Sequence, residues 1–560
     1  MKLLRNICIG ATIALTTSSC SDWVDINHQT DQPTIVTPEQ ALPVVLFYAS
    51  QINYDHAEYG VYLSQALTTG GRAQKTGLDY KSGWEFLTMN RHPQWRRHFY
   101  DIGVNGNELI KAAEKIESPN FTLIARTVQL MSMQLTTDAF GDMPRSEAYM
   151  GTNPRYDSQE SIYAWMLEEA DKLIADYDNP EIVNAPGNKK ITSKMDRVFH
   201  GDLQKWKHFT IALKARILLR KLPNWDNNQA ACDAIIASVD AALAGWEEPL
   251  YRYDGGTAES NSPWGSTQPA INGWESRKNE LNKAIPSEFL MRDMLGDKGK
   301  VSAFSGSSED PRMEALMTPR TGPTGTTDTS KKYRYLKNNI GMDISYKEDR
   351  NYPDLYASVM CQNSGYVALM LTEELLFMKA EALYWKKDVM GAYELTKEAT
   401  RMNMERLTPM EGNANFVLKP AKYLKQVEAF FKNAKLMEKY LPESGFNIGH
   451  LMRQKYIAMM YQPEQWTDMR RYNYSNDINQ NTYDGAVVYP KLRRPYNLFE
   501  AYWMQEENGE LKQEWIQRIN YDPETEEKYN SEELKRLGAY KNPEWLKKPM
   551  IWGRYNGSHK

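Results

Sequence analysis

Residues 196–222 read DRVFHGDLQKWKHFTIALKARILLRKL. At about 100° per residue, Leu203, Trp206, Leu213 and Ile217 share one helical face and Ile211, Ala215, Leu218 and Leu222 another. Two narrow basic stripes separate them, Lys207, Lys214 and Lys221 on one side and Lys205, Arg216 and Arg220 on the other. A helix that is apolar on two faces is sandwiched between other elements. The long basic side chains are then expected to bury their stems and keep their charges in water. This stretch predicts a core helix of a mostly α protein.

Such helices recur outward from it. On the N-terminal side, residues from Ala41 to about Ala66, the run opening at Trp95, FTLIARTVQLMSMQLTTDAFGDMP and SQESIYAWMLEEADKLIADY all carry helical spacing. On the C-terminal side AACDAIIASVDAALAG follows, and after a long break LTEELLFMKAEALYWKKDVMGAYELTKEATRMNM. In that last segment Ala380, Ala382, Leu383 and Tyr384, then Gly391, Ala392 and Ala399, alternate small and large as in a tetratricopeptide hairpin. Such hairpins bury a face only by stacking, which agrees with the two-faced helix.

Two stretches break the pattern. Residues 67–98 hold Gly70, Gly71, Gly77 and Gly83 around Arg72, Tyr80 and Trp84. The span from about 246 to 366 is rich in Gly, Ser, Thr and Asn and holds Trp264 and Trp274 among Asn261, Gln268 and Asn272. A long irregular insertion in a helical protein is commonly functional. Indole rings stack on the apolar face of a pyranose while amides bond its hydroxyls. Trp84, Trp264 and Trp274 are therefore the expected stacking residues, with Arg72, Tyr80 and Asn261 as polar partners.

The totals narrow the class. The 560 residues carry a formal charge of -4, so no strong field points to nucleic acid. Thirty-four Tyr and 15 Trp stand against 15 Phe, an excess of rings with polar handles that suits partly wet surfaces. Cys8, Cys20, Cys232 and Cys361 form no C-x-x-C, and Cys232 and Cys361 read either as a disulfide or as two buried thiols. The eight histidines show no H-E-x-x-H or other zinc spacing, and no G-x-S-x-G is present. Acidic residues abound without any two standing out as a glycosidase pair. No catalytic residue, resident cofactor or metal site is expected, although Asp79 and Asp343 lie in acidic loops that would suit a structural calcium.

Residues 1–19 read as an export signal, with Lys2 and Arg5 before the apolar run Ile7–Leu15, which is too short to span a bilayer. Thr17-Ser18-Ser19-Cys20 resembles a bacterial lipobox, with Cys20 as the lipidated first residue of the mature chain. Loss of the leader takes the formal charge from -4 to -6. Residues 20–40 read as a lipidated tether ending in an N-cap at Thr37, and 41–560 as one helical domain.

The order of several motifs resembles the SusD/RagB family of nutrient-binding outer-membrane lipoproteins. They are Gly-Asp before Lys-Trp-Lys at 201–207, Phe-Gly-Asp-x-Pro at 140–144, Asp-Pro-Arg at 310–312, Gln-Lys-Tyr-Ile-Ala at 454–458, Trp-x-Asp-x-Arg-Arg at 466–471 and a closing Trp-Leu-x-Lys-Pro-x-x-Trp at 545–552. The resemblance implies tetratricopeptide-like helix pairs as a scaffold, with a large irregular loop-rich part that binds ligand. It also implies a non-catalytic, surface-exposed, glycan-binding lipoprotein of a Bacteroidetes-type outer membrane, anchored at Cys20. The implied partner is a SusC-like TonB-dependent transporter that receives the oligosaccharide. A peptide ligand on the same scaffold, a surface glycosidase and a pure tetratricopeptide adaptor are the alternatives.

Overall fold

The computed structural model describes residues 36–68, 81, 83–87, 92–223, 229–267, 281, 284–295, 303–305, 309–318, 320–321, 326–327, 332–334, 353–410, 418–495, 498–499, 502–503, 506–507 and 510–554. The leader, Cys20, Arg72, Asp79, Tyr80, Trp274 and Asp343 lie outside them.

The protein is mostly helical. The long helices are α1 (Pro38–Leu63), α2 (Asn105–Lys115), α3 (Pro119–Phe140), α4 (Gln159–Asp178), α5 (Leu203–Leu219) and α6 (Gln229–Leu243). After the insertion, which holds the short helices α7 (Glu288–Leu295) and α8 (Arg312–Leu316), come α9 (Thr372–Trp385), α10 (Val389–Arg406), α11 (Pro420–Lys432), α12 (Ala434–Tyr440), α13 (Ile448–Ala458) and α14 (Glu464–Arg471). Successive helices from α2 to α6 pack side by side, α6 packs on α9, and α9 pairs with α10 as an antiparallel hairpin. The stack is the expected tetratricopeptide-like one. Helix α1 crosses it, touching α2, α3 and α14.

The residues before α5 explain its start. Asp196 accepts the backbone N–H groups of Val198 and Phe199 on one oxygen, and those of Gly201 and the Trp206 indole (2.9 Å) on the other. Gly201 at φ +85° makes the turn, since a Cβ there would lie 2.7 Å from the Ile191 carbonyl oxygen. Asp202 then caps the first turn by accepting from Gln204 and Lys205.

One expectation for α5 is corrected. Lys205, Lys207 and Lys214 do reach the surface, where they meet Glu247, Asp178 and Asp171. Arg216 and Arg220, however, are 0% and 2% exposed, charges included. Their stripe faces α9, α14 and α3, whose acids receive them. Arg216 forks onto Glu374 at 2.7 and 2.9 Å, and Arg220 forks onto Glu464 at 2.6 and 2.8 Å while also bonding Asp138. Burial opposes the charge of Glu464, yet Arg220 and Arg216 hold its carboxyl down to about 2.

A second buried network joins the motifs that are far apart in sequence. Arg471 forks onto Glu381 of α9 at 2.8 Å on each oxygen and bonds Asp468 at 2.6 Å. Lys455 reaches Asp468 at 2.9 Å, and its neighbour Gln454 accepts from Arg312, which pairs with Asp310. Arg470, beside Arg471, is equally buried but bonds only neutral groups, the carbonyls of Asp138 and Gln517 and the Thr467 hydroxyl. Its guanidinium lies 3.5 Å over the Trp466 ring, and burial draws its pKa down to about 10.

The tail closes the molecule. Ile519 N–H donates to the Ala139 carbonyl and Gln517 N–H to that of Leu546. Arg518 bonds the carbonyls of Lys548 and Pro549 with its guanidinium 4.2 Å from the Trp545 ring. Cys232 and Cys361 are both free thiols and both buried. Among the described residues no helix is long and apolar enough to cross a membrane.

Candidate functional site

The insertion meets α1 along an aromatic shelf. From Trp246 to Tyr366 the described chain is loops, short helices and two-residue to three-residue strands, as its composition predicts. Strand β1 (Leu67–Thr68) pairs with β3 (Ile285–Pro286), and β2 (Leu250–Arg252) with β4 (Tyr366–Ala368), all antiparallel. These pairings tie the first irregular stretch to the second and the second to the end of the insertion.

On α1, Phe47, Tyr48, Gln51 and Tyr54 recur at helical spacing and are half-buried. Phe47 meets Tyr251 edge-on at 6.3 Å, and Tyr253 meets Tyr251 at 5.1 Å. The Tyr253 hydroxyl lies 2.6 Å from the Ser50 hydroxyl and accepts from the Gln51 amide. Tyr54 meets Trp264 at 4.7 Å. Tyr356 adds a further half-buried ring, whereas Tyr366 lies on the other face of the β2–β4 ribbon from Tyr251, turned to Arg252 and Arg406. Amides hold the loops together: the Ser262 N–H donates to the Asn363 carbonyl, and the Thr267 N–H to the Asn363 side chain. Gly265 permits this approach, since a Cβ there would fall 2.4 Å from the Asn363 Oδ1. Asn363 is half-buried and Ser364 exposed. The shelf therefore offers tyrosine rings with amides and hydroxyls between them, the chemistry that a neutral polyhydroxy ligand needs.

Three of the six expected ligand residues fall within the described chain, and the structure gives each an inward setting. Trp264 is 2% exposed, its ring held between Tyr54 and Tyr461, the latter at 4.8 Å. Trp84 is fully buried, against Trp503 at 5.0 Å and Trp515 at 5.9 Å, and its carbonyl accepts from the Trp503 indole. Asn261 is buried and donates to the Thr267 carbonyl, closing its own loop. The expectation of exposed stacking faces at Trp84 and Trp264 is thus corrected. A Gly-flanked setting signals a loop, but rings from elsewhere in the chain cover these two. Arg72, Tyr80 and Trp274 lie outside the described residues. Sequence reading passed over Tyr54 and Tyr356; the signal was there at 47, 48, 51 and 54, a polar-aromatic face on a helix otherwise buried.

Trp264 thus anchors the shelf. Trp264→Ala is expected to lower the free energy of unfolding by about 3–5 kcal/mol, the usual effect of emptying a buried indole site. Urea unfolding followed by circular dichroism measures it; a loss below about 1 kcal/mol would show the ring to be loosely held. Beside the shelf, Leu316, Met360, Leu371, Asn403, Arg406 and Met460 line a cleft with room for about one water. Arg406 there bridges Glu373 and Glu248, an ion-paired corner. Among the described residues no group of three or more His, Cys, Asp or Glu is placed to hold a metal ion.

The sequence profile of a family described as SusD-like, starch-binding and associating with the outer membrane matches residues 32–493. No curated protein matches in sequence. Solved structures do match in fold. A SusD homolog from Bacteroides fragilis superposes with a TM-score of 0.62 at 17% identity, over 93% of this chain and 100% of that one. A chitin-binding SusD homolog from Flavobacterium johnsoniae gives 0.58 at 15%, over 92% and 97%. A protein described as chitin-binding gives 0.60 at 18%, over 92% and 100%.

Proposed function

The chain belongs to the SusD-like family, and on that premise we propose that it is a non-catalytic glycan-binding lipoprotein of the cell surface. In this reading Cys20 carries the lipid, the helical stack is the scaffold, and a TonB-dependent outer-membrane transporter receives the captured oligosaccharide. The observation that carries it is the family match over residues 32–493. The chitin-binding proteins of the same fold and the starch named for the family make neutral hexose polymers the first ligands to try.

The shelf supports the reading and assigns parts to it. Tyr54 and Tyr356 would meet sugar faces, with Gln51, Asn363 and Ser364 bonding hydroxyls. Trp274, Arg72 and Tyr80 are retained as ligand contacts from the adjoining stretches. Trp264 and Trp84 would act from beneath, by fixing the loops. A carrier that must release its cargo needs only modest affinity, which a few stacked rings supply.

Affinity electrophoresis of the full chain through gels containing soluble chitin derivatives, starch or other glycans tests this. Retardation by one glycan, weakened at least tenfold in Tyr54→Ala and in Trp274→Ala, is expected. Retardation by none, with binding of peptides instead, would overturn the glycan assignment. Turnover of any glycan that is abolished by a single carboxylate substitution would overturn the non-catalytic one.

A further inference from the structure

On a chain of formal charge -4, the segment 419–440 stands out: six lysines against two glutamates, a formal +4. It forms α11 and α12, an outer pair packed through α11 on the α10 end of the stack. Tyr423, Val427 and Phe430 are the buried face of α11. On its opposite side Lys422, Lys425 and Lys432 fall within an arc of about 80°, all exposed, with exposed Ala429 between them and exposed Ala421 at the edge.

The charge there is not neutralised locally. Glu428 is taken by Arg401 at 2.6 Å and lies 3.8 Å from Lys432, and Lys439 is taken by Glu309. Lys419, Lys422, Lys425 and Lys435 have no acid partner among the described residues and are all exposed. Leu424, 41% exposed, stands beside Lys425. Cationic side chains around an exposed leucine, on an otherwise acidic protein, are complementary to an anionic surface with an apolar layer beneath it.

We propose that this lysine face is a docking surface for the phosphate-bearing lipid headgroups of the outer-membrane surface. The inference rests on the outer-membrane reading above. It adds that the tethered protein does not hang freely: the α11–α12 side is turned toward the bilayer, which sets which side faces outward. Attraction of this kind falls off within about a Debye length, about 8–10 Å at ordinary salt, so it acts only on a protein already held near the membrane.

The test is flotation of the full chain carrying Cys20→Ser, which cannot be lipidated, with vesicles of phosphatidylglycerol and phosphatidylcholine or of phosphatidylcholine alone. Binding to the anionic vesicles only, lost in about 0.5 M salt, is expected. The triple variant Lys422→Gln/Lys425→Gln/Lys435→Gln should bind about a hundredfold more weakly with an unchanged circular dichroism melt, and Leu424→Gln severalfold more weakly. Equal binding to both vesicles, no binding to either, or an unchanged triple variant would overturn the proposal. So would retention by an anionic polysaccharide without any by anionic vesicles. Fractionation of cells expressing the unsubstituted chain separates the two readings, because absence from the outer membrane sinks the premise whatever the vesicles show.

Discussion

Arg471→Leu is expected to lower the free energy of unfolding by about 3–5 kcal/mol, the scale on which a buried ion pair punishes loss of one partner. The guanidinium is fully buried and gives six bonds, two to Glu381, two to Asp468 and one each to the carbonyls of Leu219 and Leu222. Without it, Lys455 is the cation left to Glu381 and Asp468 among the described residues, with the Tyr472 hydroxyl still donating to Glu381. Burial pushes the Glu381 carboxyl up while Arg471 and Lys455 pull it below its ordinary value; removing Arg471 removes the larger of those two pulls. Urea denaturation gives the number. Arg401→Leu serves as the contrast, since its partner Glu428 is half exposed and the pair should be worth less than about 1 kcal/mol. Equal effects at the two positions would show that the buried network is not what the geometry indicates. Glu381→Leu added to Arg471→Leu should recover part of the loss, because it removes the stranded charge.

Acidification from pH 7.5 to pH 5 is expected to be nearly as damaging. His56, His92 and His98 are all buried where α1, the segment 92–98 and the tail meet. Burial is the first cause of each shift, drawing His56 and His98 down to about 3 and His92 to about 4; Arg470 further opposes a charge on His56, and Asp522 only partly favours one on His92. His98 Nδ1 bonds the Ser132 hydroxyl at 2.8 Å. Each ring is therefore neutral in the fold at pH 5 but protonated in the unfolded chain, whose histidines titrate near 6.5. The unfolded state binds more protons, so stability is complete above about pH 6.5 and falls as pH drops toward the folded values. At pH 5 the loss is about 2 kcal/mol per histidine. Asp55 works the other way: burial raises its carboxyl to about 6 against the pull of Arg97, which returns about 1 kcal/mol. The net, about 5 kcal/mol, is a large part of a typical stability. Urea midpoints at the two pH values check it. A midpoint independent of pH, or a loss undiminished in His56→Asn/His98→Asn, where only the His92 share should remain, would refute it.

The scaffold was legible in the sequence because its signals are local. The periodicity of 203–222, the small and large alternation of 380–399 and the Phe140-Gly141 stop all translate into the helices observed. The family-like motifs were legible as strings but not as contacts. In the structure Asp310-Pro311-Arg312, Gln454-Lys455 and Asp468-Met469-Arg470-Arg471 prove to be consecutive links of one buried network. In this chain those residues serve the core. The candidate site was least legible. Whether a tryptophan in a loop faces solvent depends on what comes to lie over it, and the covers of Trp84, Trp503 and Trp515, come from more than 400 residues away. The burial of Arg216 and Arg220 has the same origin, since their acids lie on α3, α9 and α14.

That distance has a kinetic side. Helix α1, near the start of the domain, packs on α2 and α3, but the part of it buried against α14 cannot be covered until residues past 460 exist. Loop closure over such a span is slow, and contacts of this kind delay folding relative to local ones. A polypeptide emerging from its first residue onward therefore carries the α14-facing part of α1 uncovered for most of its synthesis.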